Sequence, residues 1–182
     1  MRRIVLVYGL IAGGILGAMF FITAPLWDSG VITLDNGMFV GYGTMVVSLS
    51  LVFFGVKSYR DNHKQGVITF GQGFKVGILI TLIACALYAL SWEVAYHTVS
   101  KGFSEEMEAY QEKEIRKKAS NETELKEKLE AAKKEVELYK SSFIFRFMFS
   151  FLFEVFPVGL LITLITAALL RNKNFLPASE PA

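Results

Sequence analysis

The stretch VGILITLIACALYALSWEVAY, residues 76–96, decides the fold of this chain. Its apolar side chains follow one another with few of the polar interruptions that a soluble helix or strand would carry on one face. A helix needs roughly 20 such residues to cross about 30 Å of hydrocarbon. The stretch therefore predicts a membrane-spanning helix.

Three further apolar runs resemble it, at residues 4–26, 39–56 and 147–170. Of the 182 residues, 53% are hydrophobic and only 20% are charged, and the charges are bunched between the runs. Because backbone polar groups in lipid must be satisfied within the segment, helices are the expected spanning elements. The sequence predicts an all-α protein, a four-helix membrane bundle forming one multi-pass domain over residues 1–182.

Residues 99–142, between the third and fourth runs, have a different composition. They hold ten Lys or Arg and eleven Glu and lack proline, which favours solvated helices. A heptad pattern, typical of coiled coils, follows at alternating steps of four and three: Leu125, Leu129, Ala132, Val136, Tyr139 and Phe143. We expect a charged helical hairpin outside the membrane whose arms continue spans three and four. A disordered charged loop is the alternative.

Gly9, Gly13 and Gly17 recur every four residues in the first run. On a helix they share one face, where a neighbouring backbone can approach closely. The pattern predicts the tightest helix contact of the domain. The alternative is that glycine is simply common in membrane helices.

Glu154 lies eight residues into the fourth run, where a charged carboxylate is costly unless it finds partners. Thr44, Tyr88 and Ser91 are at matching depth in the other runs, and Pro157 should kink the helix and free nearby carbonyls. These five residues form the candidate intramembrane polar site. It is either a proton or cation relay or a hydrogen-bonded knot that fixes helix register, and the sequence favours the knot.

Glu93 and Arg146 are a candidate ion pair. If the hairpin turns near Ser120, they lie 27 and 26 residues from the turn on opposite arms. We expect them to meet at the outer edge of the bilayer and to join span three to span four.

The distribution of basic residues predicts the orientation. The first loop lacks Lys and Arg, whereas the second segment between runs is basic: Lys57, Arg60, Lys64 and Lys75. By the positive-inside rule both termini are cytoplasmic, although the hairpin, external in this arrangement, is also rich in Lys and Arg. The basic loop is expected mainly to determine topology, with attraction of anionic headgroups as the alternative.

Several function classes have no support in the sequence. The net charge of +2 does not suggest a nucleic-acid partner. His63 and His97 fall in different loops and Cys85 is the single cysteine, so neither a metal site nor a cofactor is expected. No nucleophile and base pair or paired carboxylate motif suggests an enzyme.

Three segments resemble the DUF4199 family of membrane proteins without an assigned function: GVKSYRDN at 55–62, ITFGQGFKVGILITLIA at 68–84 and EVFPVGLLITLI at 154–165. The resemblance implies a bacterial, mostly Bacteroidota, inner-membrane protein and supplies no catalytic residues. It also implies that the shared role lies in the basic loop and the Glu154–Pro157 stretch.

Two functions remain open. The glycine stripe and the hairpin suggest a membrane scaffold or accessory subunit, with the lipid bilayer, a second copy or another membrane protein as partners. The alternative is a small oligomeric transporter or channel subunit that uses Glu154.

Overall fold

The computed structural model describes residues 1–177, and within them the chain is helical with no strand. The all-α prediction is confirmed. In chain order the elements are α1 Arg2–Asp28, α2 Leu34–His63, α3 Phe70–Thr98, α4 Phe103–Lys118, α5 Glu122–Ser141, α6 Phe143–Phe149, a π-helical segment Ser150–Val155, and α7 Phe156–Leu170.

Within residues 1–177, four helices are long and apolar enough to cross a membrane: α1, α2, α3 and the continuous span Phe143–Leu170 formed by α6, the π segment and α7. They alternate in direction, which places the termini and the α2–α3 loop at one end, the termini side, and α4 and α5 at the other, the hairpin side. Each helix extends beyond its predicted run, and α1 continues through Pro25 to Asp28. The limits of the membrane itself stay a prediction.

The central element of the bundle is α3, which contacts α1, α2 and α7. Half of its most apolar 18-residue window is buried, against 22–33% for the other spans. Its buried positions are mostly small or β-branched, including Val76, Ile80 and Ala84, which allow close helix approach. The core therefore lies around α3, and the outer faces of the other spans are left for lipid.

The glycine stripe of α1 packs on α3 of the same chain. A Cβ atom at Gly9 would lie 2.8 Å from Cβ of Ile83, and one at Gly13 would lie 2.7 Å from Cβ of Leu87. Gly17 faces Ser91 at similarly close range. The close contact predicted for this stripe is thus present within the chain, so the stripe is not a free surface for a partner.

Glycine and threonine alternate across the contact between α3 and α7. Gly77 faces Thr163, while Gly159 faces Thr81. The hydroxyl groups of Thr81 and Thr163 lie 3.1 Å apart and are fully buried. Small residues let the backbones approach, and the hydroxyl pair adds a hydrogen bond between the helices.

The predicted hairpin is present as α4 packed against α5. Val136 is buried, and the other seam positions from Leu125 to Tyr139 are half-buried, whereas Phe143 belongs to α6 and is exposed. The expectation that the arms continue the spans is wrong. A turn that contains Gly102, with φ of +95°, separates α3 from α4, and Ser142 separates α5 from α6. A left-handed residue cannot continue an α-helix.

Candidate functional site

The fourth span departs from regular α-helix around Glu154. Pro157 has no N–H group to donate to the carbonyls of the preceding turn, and its ring crowds that turn. The chain adopts the π segment directly before it, and Glu154 lies inside that segment. Such π turns occur frequently at functional sites. Pro157 itself is exposed at the start of α7 and does not touch the carboxylate's cavity.

Glu154 is partly buried beside Tyr88 of α3 and Ser150 of its own segment. The Ser150 hydroxyl is fully buried and lies close enough to the carboxylate to act as a donor. Within residues 1–177 the Glu154 carboxylate forms no ion pair. Tyr88 and Ser150 are the donors that a hydrogen-bonded knot would use, whereas the carboxylate has no counter-charge among the described residues.

Thr44, Tyr88 and Ser91 were predicted to lie near Glu154 because they are at a similar depth in their runs, and the structure brings only some of them close to it. Tyr88 is beside it, as expected. Thr44 donates to the carbonyl of Val40 on its own helix at 2.8 Å, although it does line the cavity described below. Ser91 lies in the contact with Gly17. The position of a residue within its apolar run predicts its height in the bilayer, but it does not predict on which face of the helix the side chain lies.

A cleft of about 610 Å³ lies on the hairpin side of the bundle. Its walls are the hairpin-side halves of α1, α2 and α3, together with the α3–α4 turn and the first turn of α4. Of the described residues that line it, only Glu154 comes from the fourth span. Six aromatic residues contribute to the walls: Phe20, Trp27, Tyr42, Tyr88, Trp92 and Phe103.

The cleft exists because α2 diverges from the fourth span on the hairpin side. It contacts α7 on the termini side but has at most marginal contact with the π segment. Met38 and Phe39, near its start, are 65% and 80% exposed. Gly41 lines the cleft and Gly43 does not, and a Cβ atom at either would have no neighbour within 4 Å. The cleft is thus open to a molecule that arrives from the bilayer.

A second, smaller cavity of about 70 Å³ continues from Glu154 into the base of the hairpin. Gln111, Glu135 and Tyr139 line it, and the side-chain oxygen of Gln111 is buried without a partner. Burial and the nearby Glu154 charge raise the pKa of Tyr139, so its hydroxyl stays protonated at neutral pH. Most of the lining is apolar, including Phe103, Met107, Val136 and Phe149, and the polar groups of Gln111, Glu135 and Tyr139 are the places where an ordered water could bind.

Glu93 and Arg146 are brought together at the hairpin-side end of the bundle. Nε and Nη2 of Arg146 donate to the two carboxylate oxygens of Glu93 at 2.9 and 2.6 Å. Nη1 donates to the carbonyls of Tyr139 and Lys140 at 2.7 and 2.9 Å, and the guanidinium carbon lies 4.6 Å from the ring centre of Tyr96. Arg146 therefore also caps the carboxyl end of α5, where cations are favoured.

The basic residues of the termini side are not gathered in a loop. Lys57 and Arg60 belong to α2 and Lys75 to α3, so only Lys64 lies between helices. Arg60 is fully buried: it pairs with Asp61 at 2.7 Å and donates to the carbonyls of Phe175 and Leu176. A buried guanidinium cannot bind lipid headgroups. Arg60 instead anchors the segment after α7, a role that the sequence did not indicate.

Sequence reasoning missed the aromatic contacts around the cleft. Trp92 donates to the hydroxyl of Tyr139 at 2.6 Å and packs against Phe20 and Phe103. The clustering of aromatic residues at the hairpin-side ends of the spans was the available signal, but interfacial anchoring explains it equally well. No group of three His, Cys, Asp or Glu residues arranged to hold a metal occurs in residues 1–177.

A family model described as "Protein of unknown function (DUF4199)" matches residues 7–172. The chain belongs to this family. The match includes most of the first span, the other three spans, the hairpin and Glu154, so the family resemblance of the three segments extends over nearly the whole chain. No curated protein and no solved structure matches the chain.

Proposed function

We propose that this membrane protein is a binding protein rather than an enzyme, and that it holds a largely apolar small molecule from the hairpin-side leaflet in the cleft beside Glu154. The observation that carries the proposal is the position of this carboxylate. It forms no ion pair within the described chain, and it is the fourth span's contribution to a 610 Å³ cleft. Ligand sites are typically concavities of about 300–1,000 Å³ with mostly apolar walls and a few polar groups.

Two glycines of α2 allow a direct test. A Phe side chain at Gly41 would enter the cleft, whereas Gly43 does not line it, and a Cβ atom at either position would meet no atom within 4 Å. The three proteins would be purified in mild detergent and examined by native mass spectrometry for bound small molecules. We expect a bound species in the wild type and in Gly43→Phe, and a reduced amount in Gly41→Phe. Equal occupancy in all three, with equal melting temperatures, would refute the proposal.

A transport role is the second candidate, and the small cavity favours it. The polar side chains of Gln111, Glu135 and Tyr139 line the small cavity together with Glu154. They would allow water or protons to reach the carboxylate from the hairpin. Four helices are few for a pathway, so oligomerisation would be needed. Flux in liposomes should be lost in Glu154→Gln and retained in Glu130→Gln, an exposed hairpin control. The absence of flux in the parent protein would end this candidate.

The scaffold or accessory role is retained for the hairpin alone, because the glycine stripe is already occupied by α3. Lys133 and Lys134 lie on the exposed face of α5 and leave that face free for a second copy or another membrane protein. A crosslinker attached at Lys133 should then capture a defined partner in native membranes. Capture of nothing beyond what a crosslinker at the lipid-facing Gly43 yields would count against it.

We further propose a bacterial inner membrane with both termini in the cytoplasm, on the basis of the charge distribution. The native Cys85 is fully buried, so an introduced cysteine would be the one labelled by a membrane-impermeant maleimide. In intact spheroplasts, Ser120→Cys at the hairpin turn should be labelled and Asn62→Cys on the termini side should not. The opposite pattern would reverse the orientation.

A further inference from the structure

The charges around the cleft differ in depth. Asp28, Lys101 and Glu106 line its mouth, at the end of α1, in the α3–α4 turn and in the first turn of α4. Glu154 lies beside Tyr88, ten residues before the end of α3, which is about 15 Å deeper at 1.5 Å per residue. At that depth no basic side chain lines the cleft among the described residues. The inner part of the cleft therefore carries a carboxylate without a counter-charge.

The surfaces around this carboxylate are suited to a cation with an apolar body. Phe20, Tyr88 and Trp92 pack against one another beside Glu154, with ring centres of Phe20 4.9 and 5.0 Å from those of Tyr88 and Trp92. Aromatic faces attract cations through their quadrupoles, and this attraction strengthens away from water. An anion would be repelled by Glu154, and a neutral ligand would leave the carboxylate without a counter-charge in a medium of low dielectric constant.

We propose that the cleft binds a lipophilic organic cation, with its charge against Glu154 and its apolar body against the aromatic wall. This inference rests on the proposed function and names the class of ligand for the same site. Because the charge is spread over a large apolar surface, such a cation can reach the cleft through the bilayer at modest desolvation cost.

A pair of ions with the same shape and opposite charge gives the sharpest test. Tetraphenylphosphonium and tetraphenylborate are nearly equal in size, so a difference in affinity between them reports charge rather than fit. Trp27 and Trp92 are the two tryptophans of the chain, and both line the cleft. Their intrinsic fluorescence therefore measures occupancy of the wild-type protein without a label. The titrations are made in non-ionic detergent micelles, where no bilayer dipole potential favours the borate, with calorimetry in the same detergent as a second readout.

We expect the phosphonium to bind at least tenfold more tightly than the borate, since a charge pair is strong where water is excluded. Glu154→Gln should remove this preference, and Glu154→Asp, which keeps the charge, should retain it. The Asp variant also guards against a Gln variant that fails to fold. Gly41→Phe should weaken binding of both ions, and Gly43→Phe should change neither.

Other outcomes overturn the inference. Equal binding of the two ions, tighter binding of the borate, or an unchanged preference in Glu154→Gln would exclude a cation-selective site. If binding of both ions is still blocked by Gly41→Phe, the cleft remains a binding site and only the ligand class is wrong. If neither ion binds, the cation class is excluded, and the co-purification experiment decides the binding function separately.

Discussion

Replacing Arg146 by Met tests whether this residue is more than half of an ion pair. The change would remove four hydrogen bonds at once: two to Glu93 and two to the carbonyls of Tyr139 and Lys140. The side chain of Glu93 is 17% exposed and would keep only the exposed His97, at 2.9 Å, as a partner. Removing one partner of such a buried pair costs about 3–5 kcal/mol.

Replacing Glu93 by Gln should cost less, although it disrupts the same pair. The amide oxygen can still accept from the guanidinium, and both carbonyl contacts of Arg146 remain. Loss of a charged hydrogen-bond acceptor costs about 1.5–3 kcal/mol. The two single variants should therefore differ by about 1.5–2 kcal/mol, with Arg146→Met the less stable.

Unfolding by denaturant in detergent micelles, followed by tryptophan fluorescence, would measure these free energies. Arg116→Met is the matched control, because Arg116 is an exposed residue of α4 that pairs with Glu112 and should behave like the wild type. The exchange of charges, Glu93→Arg with Arg146→Glu, should recover only part of the loss, since a carboxylate cannot donate to the two carbonyls. Equal single variants and full recovery by the exchange would refute the capping role.

Three further outcomes are expected. Gly13→Leu should lower stability by about 1–3 kcal/mol through overpacking, while Gly14→Leu, with no neighbour within 4 Å, should leave the melting temperature unchanged. Arg60→Met should release the segment after α7, measured as faster trimming by carboxypeptidase in time-resolved mass spectra; an unchanged rate would argue against the anchor. The hydrogen bond from Lys128 lowers the pKa of Glu124 below 4.5, so its stabilising contribution is present above that value and lost as pH falls through the lowered pKa. The protection factor for amide hydrogen exchange at the start of α5, taken relative to the intrinsic rate at each pH, should fall on acidification, and less so in Lys128→Met.

The elements of this fold are largely predictable from the sequence, because each depends on local composition. The apolar runs predict the spans, and the heptad pattern predicts α5 and the face that packs on α4. Counting residues from the hairpin turn predicts that Glu93 lies opposite Arg146, because equal numbers of helical residues rise by equal distances. The two side chains do form an ion pair. The count is correct even though two breaks interrupt the arms.

The candidate site is less predictable, because it depends on the faces of helices and on distant contacts. Ser91 shares the depth of Glu154, yet it faces Gly17. Arg60 is buried by a segment more than a hundred residues away, which no local pattern encodes. The cleft arises from the divergence of α2, and this is a property of helix packing rather than of any one residue.

The π segment has a consequence for how the fourth span can vary. A single extra residue in a helical turn rotates everything on one side of it by about 100° relative to the other side. Arg146 can thus be oriented toward its partners at one end while Thr163 is oriented toward α3 at the other. Deleting one residue between Ser150 and Val155 would restore a uniform helix and force one end to abandon its contacts. Substitutions in this segment should therefore be tolerated far better than changes in its length.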